Sequence, residues 1–201
     1  MDSQTVPHEH FPDPHRDLYS RTTFGFWIYL LTDFVLFGTL FATYAVLRHS
    51  TFGGPSVRDL FDVPYTLAPA MILLMSSLTV GLGSAMAHRK DKRWTMILFW
   101  LTFLFGALFL CMQFSDMARL VYNGAGWERS AFLSAYFTLV GTHAVHVVFG
   151  LLWILVLLYP VWREGITPVS LRRLTCLKMF WQFLNIIWIF IFSFVYLLGV
   201  V

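Results

Sequence analysis

The chain has 201 residues, of which 58% are hydrophobic and only 12% charged, against roughly 25% charged residues in soluble domains. This composition leaves no room for a separate soluble domain. The formal net charge of +3 does not indicate nucleic-acid binding, because the basic residues are divided among short segments instead of gathering on one face.

Five apolar runs follow a polar N-terminal segment. A helix needs about 20 apolar residues to cross a hydrocarbon core of about 30 Å, and every run is long enough. The sequence therefore predicts an all-α bundle of five transmembrane helices over residues 24–201, after a polar tail at residues 1–23 without the pattern of a signal peptide. The runs lie near Phe24 to Leu47, Tyr65 to Ala87, Trp94 to Met117, Ala131 to Tyr159 and Met179 to Val201.

The basic residues between these runs predict the orientation of the chain. Two precede the first run, four lie in the second loop and four in the fourth, so ten share one side; the first and third loops hold two each. By the positive-inside rule the N-terminus is cytoplasmic and the C-terminus periplasmic. The fourth loop, Trp162 to Lys178, is expected to lie along the inner headgroups, where basic residues favour anionic lipid.

Small and sulfur-containing residues are interpreted as packing residues. The two cysteines, Cys111 and Cys176, supply neither a disulfide framework nor a thiolate metal site. Five glycines are expected to permit close helix approach. They are Gly38, Gly81, Gly83, Gly106 and Gly150.

Polar side chains within the apolar runs are the candidate functional residues, because an ionisable group inside a bilayer costs a few kcal/mol. They are Asp33 in the first run, His143 and His146 in the fourth, Gln182 and Asn185 in the fifth, and Asp116 near the outer end of the third. At a rise of about 1.5 Å per residue, Asp33 lies roughly 13 Å and Asn185 about 10 Å from the inner surface, and His146 about 22 Å from the outer one. Side chains of three helices therefore share one level.

This shared level predicts a buried polar cluster in which Asp33 accepts from His143 or His146, while Asn185 or Gln182 satisfies the remaining groups. Two interpretations stay open: the cluster fixes helix packing, or it handles protons. Asp116 is interpreted as an acid that reaches interfacial water. Two histidines three residues apart project from one helix face and cannot bind haem from opposite sides, so the chain is expected to bind no redox cofactor or metal of its own.

Several stretches resemble subunit III of haem-copper oxidases, and the segment with two histidines is specific to that family. The resemblance covers nearly the whole chain after the tail. The stretches are Gly25-Phe-Trp-Ile-Tyr-Leu-Leu-Thr-Asp33, Leu40-Phe-Ala-Thr-Tyr44, Arg129-Ser-Ala-Phe-Leu-Ser-Ala-Tyr136, Gly141-Thr-His-Ala-Val-His-Val147, Phe180-Trp-Gln-Phe-Leu-Asn185, Trp188 and Val195-Tyr-Leu-Leu-Gly199.

Within that family, the five-helix form with Asp at position 33 resembles bacterial cytochrome bo-type ubiquinol oxidases, since the cytochrome c branch usually has Glu there. The resemblance implies an accessory subunit in the inner membrane that stabilises subunit I and supports its proton uptake, alongside subunits II and IV. It places haem and copper in subunit I and phospholipid in a cleft of subunit III. Many relatives have His-x-x-Asp where this chain has Gln182 and Asn185, so that pair cannot titrate here.

Two alternatives remain open at this stage. The same subunit could serve a menaquinol or cytochrome c oxidase, which the partner's haem type and substrate distinguish. A small independent membrane transporter is the alternative from another class, although five helices do not divide into the paired inverted halves common in transporters.

Overall fold

The computed structural model describes residues 14–48, 63–124 and 126–197. Five helices in these ranges are long and apolar enough to cross a membrane, which confirms the predicted number of spans. They are α1 (Pro14–Leu47), α2 (Val63–His88), α3 (Lys92–Tyr122), α4 (Ala131–Glu164) and α5 (Pro168–Ile191), which continues as a π-helical segment over Phe192–Leu197.

The helices form a ring of four with the fifth packed outside. α2 packs on α3 along most of its length, α3 on α4, α4 on α5, and α5 returns to α2. α1 lies in the groove between α4 and α5. α5 therefore contacts three other helices, and its apolar span is the most buried of the five, whereas that of α1 is the least buried.

The N-terminal end of α1 differs from the predicted boundary. The helix begins at Pro14, ten residues before the apolar run at Phe24. Proline favours the first turn of a helix, because its fixed φ suits the helix and its missing N–H would have no partner there. A helix also continues beyond the hydrocarbon without penalty where its side chains are polar, so the apolar run marks the membrane and not the helix end. Residues 1–13 of the predicted tail lie outside the described ranges.

The fourth loop is much shorter than predicted. α4 continues to Glu164 and α5 begins at Pro168, so only residues 165–167 connect them. Gly165 ends α4 with a φ of +82°, and the Thr167 side chain accepts a hydrogen bond from the Ser170 N–H at 3.1 Å. Arg172 and Arg173 consequently lie in the second turn of α5 and not in a loop.

A tight turn joins α2 and α3 and explains their long contact. His88 ends α2 and Lys92 begins α3. Lys90 adopts a φ of +59°, and the Asp91 side chain accepts from the Trp94 N–H at 3.4 Å. The short connection makes the two helices antiparallel neighbours.

Candidate functional site

Asp33 on α1 and His146 on α4 face each other. The distance from Asp33 Oδ1 to His146 Nε2 is 3.9 Å, and their side chains are 10% and 17% exposed. This separation is longer than a hydrogen bond. His146 Nδ1 donates to the Thr142 carbonyl at 2.8 Å, so in the neutral ring Nε2 is an acceptor. The acceptor side of His146 is therefore turned toward the carboxylate.

His143 bonds to a different helix from Asp33, and the Phe37 ring lies near both histidines. The Phe37 ring is completely buried, and its centroid lies 5.2 Å from that of His146 and 6.4 Å from that of His143. His143 Nε2 donates to the Leu184 carbonyl at 3.1 Å. Its ring also contacts Trp188 at a centroid distance of 5.2 Å. His143 therefore links α4 to α5.

The two amides of α5 occupy different surroundings. Asn185 is buried, and its Nδ2 donates to the Trp181 carbonyl at 2.8 Å. Gln182 lines an apolar groove between α1 and α5. The predicted residues thus gather where α1, α4 and α5 meet, but the described contacts do not join them into one hydrogen-bonded cluster.

Asp116 and Gln113 lie three residues apart near the C-terminal end of α3. Gln113 is 1% exposed, and its Nε2 has no hydrogen-bond partner among the described residues. Asp116 is partly buried, with Arg119 three residues later on the same helix. The interpretation of Asp116 as an interfacial acid stays a prediction.

Trp181 is the residue that sequence reasoning missed. Its Nε1 donates to Ser76 Oγ at 2.9 Å, which connects α5 to α2. Nearby, the hydroxyls of Thr79 and Thr102 are 2.8 Å apart and connect α2 to α3. Buried serines and threonines spaced three residues apart on α2 were the available signal, since interhelical hydrogen bonds use such residues in membranes.

The glycine prediction is confirmed at three positions and wrong at two. A Cβ at Gly106 would lie 2.8 Å from the Trp181 ring, one at Gly150 2.9 Å from the same ring, and one at Gly83 3.1 Å from Phe99. At Gly38 and Gly81 no atom of the described residues lies within 4 Å of such a Cβ. Among the described helices, α1 packs on α4 and α5 only, and α2 on α3 and α5.

Comparison with known proteins assigns the chain to one family. The family described as cytochrome c oxidase subunit III matches residues 18–200. The chain belongs to this family. It is therefore a multi-pass membrane protein and an accessory subunit of a haem-copper oxidase.

Its relatives carry names from two branches of subunit III. The chain is 48% identical to cytochrome bo(3) ubiquinol oxidase subunit 3 of Pseudomonas aeruginosa, over 98% of this chain and 94% of the relative. It is 46% identical to the subunit of the same name in Pseudomonas putida, over 92% and 89%. It is 39% identical to cytochrome c oxidase subunit 3 of Bacillus sp. strain PS3, over 94% and 92%.

The described residues of this subunit III do not fit the haem and copper of the oxidase. No three His, Cys, Asp or Glu side chains within the described ranges lie close enough to share a metal ion. His143 and His146 project from one helix, and both rings already bond to carbonyl oxygens.

Proposed function

We propose that the chain is the third subunit of a proton-pumping bo-type ubiquinol oxidase in a bacterial inner membrane, which oxidises ubiquinol and reduces oxygen to water. The observation that carries this proposal is the 48% identity to a cytochrome bo(3) ubiquinol oxidase subunit over 98% of the chain. Asp33 agrees with it, because the cytochrome c branch usually has Glu at this position.

In this proposal the chain stabilises subunit I, which carries haem and copper, within a complex that also contains subunits II and IV. The chain itself supplies a rigid apolar surface. Trp181, His143 and Asn185 form hydrogen bonds in the interior of the bundle. These bonds fix the positions of the helices, and so the outward-facing side chains of α1, α4 and α5 present a fixed surface to a partner subunit.

Gentle detergent purification of the tagged chain tests the assignment. We expect a large haem-copper subunit to co-purify, together with ubiquinol oxidase activity. The purified complex should give a reduced-minus-oxidised haem spectrum, and the chain separated from the other subunits should give none. Activity with menaquinol or cytochrome c only would move the chain to another oxidase of the same family. A colourless chain recovered alone that carries a solute flux in liposomes would favour the transporter.

We also propose that Asp33 and His146 support proton uptake by the complex. The observation that favours this role is their 3.9 Å separation with the acceptor side of His146 turned toward the carboxylate.

The variant Asp33→Asn separates proton handling from packing, since the amide keeps the size of the side chain and loses its charge. Proton uptake by the purified complex should slow while assembly is retained. Asp116→Asn, which removes a carboxylate near the outer end of α3, is the matched control and should leave uptake unchanged. Lost assembly with normal turnover per remaining complex would assign the pair to packing.

The groove between α1 and α4 is proposed to hold an anionic phospholipid. It has a volume of about 510 Å³ and is lined by Phe26, Tyr29 and Trp153 among others. The same three residues line an adjoining space of about 520 Å³ that reaches Arg172 and Arg173. The apolar groove fits an acyl chain, and the adjoining space beside the two arginines fits a phosphate headgroup.

Native mass spectrometry of the complex tests the lipid site. The double variant Arg172→Gln/Arg173→Gln should lose bound anionic lipid, because it removes both cations that face the headgroup. Arg89→Gln/Arg93→Gln removes the same charge at exposed positions beside the α2–α3 turn and should retain the lipid. Equal loss in both double variants would mean that the lipid responds to overall charge and not to this groove.

A further inference from the structure

Three buried polar atoms in the core of the bundle have no hydrogen-bond partner among the described residues. They are Gln113 Nε2 on α3, His143 Nδ1 on α4 and Asn185 Oδ1 on α5. The three residues are 1%, 0% and 5% exposed. An unpaired polar atom is costly in the interior of a membrane protein, so each of these atoms requires a partner.

The three side chains converge on one group of aromatic rings. The centroid of the Phe109 ring lies 5.9 Å from that of His143 and 4.7 Å from that of Trp188. Gln113 follows Phe109 by four residues on α3, so the two side chains share one helix face. Asn185 precedes Trp188 by three residues on α5 and shares its face in the same way. The unpaired atoms therefore belong to one region of the core, between α3, α4 and α5.

The hydrogen-bonding roles of these atoms follow from the other bonds of the side chains. His143 Nε2 donates to the Leu184 carbonyl, which makes Nδ1 an acceptor in the neutral ring. Asn185 Nδ2 donates to the Trp181 carbonyl, so the free atom of this amide is its acceptor oxygen. Gln113 Nε2 is a donor. The core thus presents one donor nitrogen and two acceptors, and these described atoms do not pair with one another.

We propose that one water molecule is bound between these three side chains, at a position called the core water site here. The water donates its two hydrogens to His143 Nδ1 and Asn185 Oδ1 and accepts a hydrogen bond from Gln113 Nε2. Buried waters in proteins typically make about three such bonds to polar groups that are otherwise unpaired. A cation is a poor match, because one of the three atoms is a donor and only one is an oxygen.

The core water site gives the two histidines of α4 different roles. With Nε2 bonded to the Leu184 carbonyl and Nδ1 to the water, His143 has both ring nitrogens occupied and links α3, α4 and α5. His146 keeps its acceptor nitrogen turned toward Asp33. Packing is thereby assigned to His143 and the proposed proton handling to His146 alone. The site goes beyond the proposed function and does not depend on which oxidase of the family contains the chain.

Cryo-electron microscopy of the intact oxidase tests the core water site directly. In a map that resolves ordered water elsewhere in the complex, we expect one density peak within hydrogen-bond distance of His143 Nδ1, Asn185 Oδ1 and Gln113 Nε2. The absence of a peak at this position would overturn the inference. Direct hydrogen bonds among the three side chains would overturn it as well, because they leave the water no role.

A double-mutant cycle gives a second readout. Gln113→Leu and Asn185→Leu each remove one group that bonds to the proposed water. Since both groups share that water, the double variant should lower the midpoint of heat-induced aggregation by less than the sum of the two single losses. Gln113→Leu with Ser76→Ala is the matched control and should be additive, because Ser76 bonds to the Thr102 carbonyl, roughly 16 Å before Gln113 along α3. Additive losses in both pairs would contradict a shared water.

Discussion

Trp181 connects four helices through one side chain. It belongs to α5, donates to Ser76 on α2, and its ring faces Gly106 on α3 and Gly150 on α4. Close packing and interhelical hydrogen bonds replace the hydrophobic effect as the source of helix association in lipid. This side chain supplies both, so substitutions around it should have larger effects than substitutions on the outer faces of the bundle.

We expect Gly106→Ala to lower the free energy of unfolding of the subunit by about 1–3 kcal/mol, because the alanine Cβ would lie 2.8 Å from the Trp181 ring. Gly38→Ala is the control, since no side chain lies within 4 Å of its Cβ position. The control should be neutral or slightly stabilising, because alanine favours a helix over glycine. The midpoint of heat-induced aggregation in detergent compares the two. A larger loss at Gly38 would contradict the packing described around Trp181.

A double-mutant cycle tests the hydrogen bond between Trp181 and Ser76. Ser76→Ala leaves the buried indole N–H without its acceptor, which costs about 1–3 kcal/mol. In the background of Trp181→Phe the same substitution should cost much less, since no donor is left unpaired. Additive losses in the aggregation midpoint would show that the two side chains do not interact.

The sequence predicted the polar residues of the membrane but not their partners. Asp33 was predicted to accept from His143 or His146, because charged groups are rare in apolar helices and their depth follows from the helical rise. In the structure His146 lies 3.9 Å from Asp33, whereas His143 bonds to the Leu184 carbonyl on α5. Depth gives no information about rotation around the helix axis, and rotation decides which side chains meet.

At the scale of the elements, the α2–α3 turn is the most constrained connection. Lys90 adopts a φ of +59°, a conformation that costs most residues about 1–2 kcal/mol and glycine nothing. Lys90→Gly should therefore raise the thermal midpoint, and Lys90→Val should lower it because a β-branched side chain tolerates this conformation poorly. The free energy of the turn, and not the packing of the helices, changes in these variants.

The charge of Lys90 requires a control for that comparison. Lys90→Asn also removes the positive charge, while asparagine tolerates a positive φ better than lysine. We expect the order glycine, asparagine, lysine, valine from the most to the least stable in detergent. If asparagine and valine behaved alike, the loss of charge and not the backbone conformation would explain the effect.

Helix boundaries were the least predictable feature of the elements. The apolar runs gave the number and order of the spans, because lipid requires about 20 apolar residues per crossing. They did not give the helix ends, since α1 and α5 continue into polar sequence at Pro14 and Pro168. Proline and the Thr167 cap at the start of α5 were readable signals for one of these ends.

At the scale of the whole molecule, the bundle buries its hydrogen bonds and exposes its apolar side chains. Trp181, His143 and Asn185 bond in the interior, while large apolar residues such as Leu31 and Leu104 face outward. Such an apolar surface is suited to contact with lipid and not with water.

The orientation of this bundle remains a prediction from its basic residues. Ten of the fourteen Lys and Arg residues lie before the first apolar run, between the second and third runs or between the fourth and fifth runs, which favours those segments in the cytoplasm. Alkaline phosphatase folds to an active enzyme only in the periplasm, so a fusion after Val201 should be active and a fusion after Gly165 inactive. A green fluorescent protein fusion should give the opposite result at each site. Activity of the phosphatase after Gly165 would reverse the topology, and with it the side of the membrane from which Asp33 and His146 receive protons.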